Sequence, residues 1–197
     1  RGSALGPFWI TLSTAITVFF MGYLYGILFG IDRSTYLPYF TTGMIAWSFI
    51  SMVINESTKI LAESKPYMEN IQLPCLLYVF RLVFRNTIIL AHNLPVFVVI
   101  VFIYHIPINS HLLLLVPGIL VLCCNAIFYG TIIAFISTRY PDFGSIVSNI
   151  LQVLFFVTPI MWPPSALPEK FHLYLTLNPF VYFVNLLRNP LLGIGFD

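Results

Sequence analysis

LLLLVPGILVLCCNAIFYGTIIAFIST, residues Leu112 to Thr138, contains no Asp, Glu, Lys or Arg. A helix rises about 1.5 Å per residue, so this stretch exceeds the roughly 30 Å hydrocarbon core of a bilayer and predicts a membrane-spanning α-helix. Working outward, further apolar runs cover about Pro7 to Gly30, Tyr39 to Asn55, Tyr78 to His105 and Ser145 to Trp162. A last apolar stretch, Phe171 to Phe196, is broken by prolines and glycines and predicts a re-entrant or interfacial segment. Residues 1–197 therefore read as one all-α integral membrane domain, a helical bundle of five transmembrane spans plus an outer re-entrant helical segment.

Composition points the same way. Of 197 residues, 59% are hydrophobic and 8% charged, and mean hydropathy is +0.92, whereas about a quarter of a soluble domain is charged. The net charge of +2 comes from dispersed cations, which excludes the basic stripe of a nucleic-acid binder. Cys75, Cys123 and Cys124 lack metal-ligand spacing and read as small residues within apolar runs. No P-loop, nucleophile elbow, zinc motif or intramembrane acidic pair occurs. Catalytic residues and metal ligands are thus assigned to none of the chain, and any nucleotide hydrolysis belongs to another subunit.

Charge also orients the bundle. With Arg1 on the cytoplasmic side, Lys59, Lys65, Arg81, Arg85 and Arg139 join it there, leaving Arg33, Lys170 and Arg188 outside, the bias that the positive-inside rule expects.

Several residue patterns carry candidate functions. Gly22, Gly26 and Gly30 recur every four residues and give span one a smooth face for a neighbouring helix of the same chain or for a second copy. Ser13, Thr14, Thr17, Met21 and Tyr25 share another side of that helix. This stripe suits a polar path, or hydroxyls bonded to their own backbone. On span five, Ser145, Ser148, Asn149, Gln152, Phe155, Phe156 and Pro159 fall on one face. Amides that donate and accept, beside rings that stack on sugar faces, suit a hydroxyl-rich cargo; interhelical hydrogen bonding is the alternative. Arg81 and Arg85, four apart at the start of span three, either capture a lipid head group or snorkel to the interface. His92, beside Asn93 and Pro95, fits a packing histidine better than a proton relay, since no intramembrane acid accompanies it. Trp9, Trp47 and Trp162 lie in or beside spans, as an interfacial belt requires of at least the terminal two. Two polar links, Glu56 to Cys75 with Lys59, Glu63, Lys65 and Glu69, and Arg139-Tyr140-Pro141-Asp142, are solvated loops able to dock a partner.

The segments Leu5-Gly6-Pro7-Phe8-Trp9, Tyr39 to Phe49 with Gly43 and Trp47, and Arg139-Tyr140-Pro141-Asp142-Phe143 resemble the permeases of bacterial ABC exporters for polysaccharides, in the type-2 exporter superfamily. Thr158-Pro159-Ile160-Met161-Trp162, Asn178-Pro179 and Arg188-Asn189-Pro190-Leu191-Leu192-Gly193 extend the resemblance through the tail. The resemblance implies an ATP-driven subunit of the inner membrane that exports a lipid-linked glycan such as O-antigen, capsule or teichoic acid. It implies a homodimer bound to two ATP-binding cassette subunits, with ATP and magnesium on those partners and no cofactor on this chain. Spans one and five of each copy would line the channel, and the Glu56 to Cys75 region, with Arg139 and Asp142, would receive the ATPase. The family pattern has an N-terminal amphipathic segment and a sixth span that this chain lacks, so a fragment is expected, with the sixth span beyond Asp197.

Two other readings compete. An exporter of the same superfamily for drugs or simple lipids predicts a narrow apolar seam between spans one and five. An intramembrane enzyme acting on lipid-linked sugars would have Asp32, Glu169 and His172 as its outer acid–base groups.

Overall fold

The computed structural model describes residues 6–70, 73–168, 170 and 172–195; Arg1, Leu5, Glu169, Phe171, Phe196 and Asp197 lie outside the described residues. Eight α-helices occur among the described residues: α1 (Gly6–Phe29), α2 (Arg33–Ser57), α3 (Ile60–Asn70), α4 (Cys75–Tyr104), α5 (Leu115–Arg139), α6 (Phe143–Val157), α7 (His172–Leu177) and α8 (Pro179–Leu191). Short 3-10 turns at Ser110–Leu114 and Pro164–Ala166 lead into α5 and follow α6. No strand is present among them. Four helical stretches, Trp9–Phe29, Arg33–Ser57, Cys75–Tyr104 and Ser110–Arg139, are long and apolar enough to cross a membrane. Helix α6 is also apolar, but its 15 residues span only about 22 Å.

Local chemistry sets the helix ends. Helix α1 closes in a Schellman turn: Gly30 takes the left-handed φ of 63°, its N–H reaches Ile27 O at 3.2 Å, and Ile31 N–H reaches Gly26 O at 3.1 Å. Only glycine enters that backbone region without steric cost. Helix α2 starts before Tyr39, where the run of apolar residues begins, because Tyr36 N–H already bonds Asp32 O at 2.9 Å. Helix α6 stops at Val157, short of Trp162, because Pro159 has no N–H for the Phe155 carbonyl and forces Thr158 to an extended ψ of 137°. Asn178 caps α8, its side chain accepting Phe180 N–H at 3.0 Å, with Pro179 in the first helical position where its missing donor costs nothing.

Helix α2 is the centre of the bundle. Sixty-seven percent of its apolar window is buried, against 11–28% for the other three long helices. Trp47 shows how: its ring lies 5.9 Å from Phe155 of α6 and 5.8 Å from Phe180 of α8, so it is a core residue rather than a belt anchor. Val79, Leu82 and Leu90 of α4 and Leu122 and Ala134 of α5 complete this core. Lipid offers the remaining apolar surface no worse a solvent than protein, so close van der Waals fit holds the helices together.

Candidate functional site

The polar face of α6 is built at the helical period. Ser145, Asn149, Gln152 and Phe156 all remain exposed, while Val147 and Leu151 turn into the core. Phe155 leaves this face for Trp47. Ser148 donates to Asn55 Oδ1 at 2.8 Å, tying α6 to α2. On α1, Ser13 and Met21 are exposed and Thr14, Thr17 and Tyr25 half-buried. Thr14 donates to Ile10 O at 3.0 Å within its own helix, and Tyr25 stacks on Phe29. The glycine face of α1 meets the same chain. A Cβ at Gly22 would run into the Leu37 side chain, and one at Gly26 would lie 3.5 Å from Tyr36.

At the end of the bundle that carries α3, Lys59, Glu63, Lys65 and Glu69 are exposed while Leu61 and Ser64 are buried. Helix α3 is thus anchored by one side and presents its charges on the other. Arg139 and Asp142 are exposed at the α5–α6 link, α5 packs against α3, and a Cβ at Gly144 would lie 3.3 Å from Thr58 Oγ1. The two polar links therefore form one surface. Glu56, taken from the sequence as the start of the loop, belongs to the last turn of α2. Its carboxylate pairs with Arg85 at 2.5 Å and accepts from Asn86 Nδ2 at 2.6 Å, so Arg85 already has a carboxylate partner. Arg81 is exposed on the same face of α4.

The opposite end, which carries the α1–α2 link and α8, holds a group that charge counting missed. Arg188, counted among the outer charges, is 4% exposed. Its Nη1 donates to Tyr39 Oη at 3.0 Å, and its guanidinium carbon lies 3.9 Å from the centre of the Tyr39 ring. Tyr39 Oη in turn bonds Pro159 O at 2.7 Å and Trp162 O at 3.3 Å. Tyr36, one turn earlier, donates to Met161 O. Asn178 Nδ2 donates to Thr158 Oγ1 at 3.1 Å. Gly43, one turn after Tyr39, leaves by its missing Cβ the space that Arg188 Nη2 fills.

Of the groups an enzyme reading requires, Asp32 and His172 are exposed. The Ser34 hydroxyl donates to the Asp32 carboxylate and holds its pKa below the ordinary value, so it stays an ionised acceptor rather than a general acid. Glu169 lies outside the described residues. His92 bonds Ile88 O of its own helix at 2.8 Å, and its backbone carbonyl accepts from Thr11 at 3.0 Å, a packing arrangement. No cluster of metal-binding side chains occurs among the described residues. Two clefts, ≈ 230 Å³ between α2, α5 and α8 and ≈ 310 Å³ between α4 and the end of α8, are lined almost wholly by apolar side chains and lie away from the polar face of α6.

Comparison with known proteins gives this geometry a context. The family model described as ABC-2 type transporter matches residues 1–192. The chain is 25% identical over 187 residues to the O-antigen export system permease protein RfbA of Myxococcus xanthus, covering 92% of this chain and 70% of that protein. It is 22% identical over 183 residues to the permease of the same name from Klebsiella pneumoniae, covering 91% and 70%. A shorter match, 27% over 74 residues, reaches the polysialic acid transport protein KpsM of Escherichia coli, with 38% of this chain and 28% of that protein covered.

Proposed function

The chain belongs to the ABC-2 type transporter family, whose permeases are multi-pass membrane proteins that associate with an ABC ATPase, and we propose that it is the membrane-spanning subunit of an exporter for a lipid-linked polysaccharide of the O-antigen class. The observation that carries this reading is the exposed row Ser145, Asn149, Gln152 and Phe156 on α6. Such a row is costly against lipid and useful against a sugar chain: amides hydrogen-bond hydroxyls, and an aromatic face stacks on a pyranose. The names of the two long-matching relatives support this cargo class.

In this reading two copies face each other in the bacterial inner membrane, with α1 and α6 of each lining the conduit. Helix α6 is the fifth span, its short length completed by the link to α7, and α7 with α8 forms the re-entrant segment. The α3 end, with Lys59, Glu63, Lys65, Glu69, Arg139 and Asp142, takes the push of two ATP-binding subunits that hold ATP and magnesium. Arg81 and the Arg85–Glu56 pair sit where anionic head groups gather. No covalent chemistry falls to this chain. Weak, repeated contacts along α6 favour sliding over capture, since tight binding at one site would stall transport.

The test is reconstitution with the ATPase in proteoliposomes and measurement of glycan export beside ATP hydrolysis. Asn149→Leu with Gln152→Leu removes the amides at similar volume and is expected to lower export by about tenfold, with hydrolysis kept. Unchanged export would overturn the assignment of this face.

A further inference from the structure

A buried guanidinium is a demanding group. It stays protonated and brings five N–H donors, so a closed environment usually supplies a carboxylate or a full set of acceptors. Arg188 has neither. Among the described residues its sole polar partner is the Tyr39 phenol at 3.0 Å, and Nε and Nη2, both inaccessible, have no hydrogen-bond acceptor there. The ring of Tyr39 adds a cation–π contact.

The arrangement is a junction of three segments. The link after α6 and the start of α8 are already one unit, because Asn178 bonds Thr158. That unit meets α2 through two phenols: Tyr36 on Met161 O and Tyr39 on Pro159 O. Arg188 closes the seam from the α8 side, over Gly43.

We propose that Tyr39 and Arg188 are positioning residues for transport: a releasable lock that pins the end of α6 and α8 to α2, and whose opening frees this end of the conduit. The choice of partner makes it releasable. A buried carboxylate would hold the cation by an attraction that is expensive to break. A neutral phenol holds it more weakly, and the two idle donors gain water as soon as the seam parts. Closed and open states are thereby brought near balance, which a switch driven by a distant ATPase requires. The role in transport and the conduit rest on the exporter reading; the seam itself rests on the contacts described above.

The experiment uses the full permease in native membranes, with Cys75, Cys123 and Cys124 replaced by alanine and Ile160→Cys as reporter. Ile160 is fully buried, directly beside the seam. A membrane-impermeant maleimide should label the reporter slowly, and Tyr39→Phe, which keeps the ring but removes the hydroxyl, should raise the labelling rate by about tenfold or more. Arg188→Lys, which keeps the charge but loses the planar donor set, should do the same. Thr131→Val, on α5, whose hydroxyl bonds Ile127 O of its own helix, should leave the rate unchanged. Thermal unfolding in detergent separates a lock from a mere brace: the lock predicts faster labelling while the fold persists. Unchanged labelling in both Tyr39→Phe and Arg188→Lys, or labelling that rises only as far as the protein unfolds, overturns the proposal. Because the readout needs no glycan, failure of the cargo assignment shows up separately, as absent export with labelling behaving as stated.

Discussion

The two ends of the bundle handle an arginine in opposite ways. At the α3 end, Arg85 meets Glu56 across 2.5 Å with its side chain 59% exposed, and Asn86 shares the same carboxylate. At the α8 end, Arg188 is 4% exposed and, among the described residues, meets only a phenol. An exposed ion pair is worth about 0–1 kcal/mol and tolerates loss of a partner, because water replaces it. A buried cation cannot call on water, so its neighbours hold it in place and any change in their shape is felt at once. Strength at the α3 end lies in charge, and at the α8 end in fit.

The sharpest test of that contrast is Gly43→Ala. A new Cβ there meets Arg188 Nη2 with no free space, and the Ile160 carbonyl stands 3.4 Å away. Overpacking of this kind is expected to lower the stability of the purified permease by about 2–3 kcal/mol, measured as denaturant or thermal unfolding in detergent. In an Arg188→Lys background, where the planar head is gone, most of the loss should disappear. A full loss in both backgrounds would mean that the fit is with the backbone and not with Arg188.

This contrast also explains how much the sequence could disclose. Long apolar runs declare helices because each run satisfies its own backbone hydrogen bonds, so α1, α2, α4 and α5 were legible without their neighbours. The exposed polar face of α6 was legible for a similar reason: Ser145, Asn149 and Gln152 repeat within one helix. Tyr39 and Arg188 are separated by 149 positions, and no opposite charge links them, so neither periodicity nor charge pairing joined them, and Arg188 read as one more outer cation. Glu56 was misplaced for another reason. Polarity marks where a chain leaves the apolar run, but α2 runs on through Ser57, because Glu56 finds Arg85 and Asn86 on α4. Trp47 could not be assigned to belt or core from the sequence, since a span's hydropathy does not tell which side of it meets lipid.

Glu56→Gln probes the charged end. The amide keeps the shape and loses the attraction to Arg85, while Asn86 retains its bond to Leu82 O at 3.0 Å. The expected cost is about 1 kcal/mol, and it should shrink as salt is raised, since the pair is partly exposed. The Gly43→Ala loss should be indifferent to salt. Equal salt response in the two variants would erase the distinction between charge and fit.

A smaller effect is expected from Ser148→Ala, also towards the α3 end. The hydroxyl bonds Asn55 Oδ1 at 2.8 Å and Gly144 O at 3.0 Å, but the site is exposed, so water can replace the lost donor. The expected change is about 0.5 kcal/mol in unfolding.

Gly144→Ala repeats the Gly43 substitution at the α3 end and should have the smallest effect on stability. Gly144 lies in the first turn of α6, where alanine is worth roughly 0.5–1 kcal/mol over glycine in helix formation. Against this, the new methyl would approach Thr58 Oγ1 to 3.3 Å, tight enough to push it by a fraction of an ångström. Thr58 sits in the turn between α2 and α3, half-buried and beside exposed Lys59, with its hydroxyl donating to Asn55 O at 2.6 Å. The two terms oppose each other, and the net change in unfolding should stay within about 0.5 kcal/mol of zero. If Gly144→Ala instead costs as much as Gly43→Ala, the α3 end is also held by fit, and a surface able to receive a partner's push would have to be sought outside the α2–α3 turn.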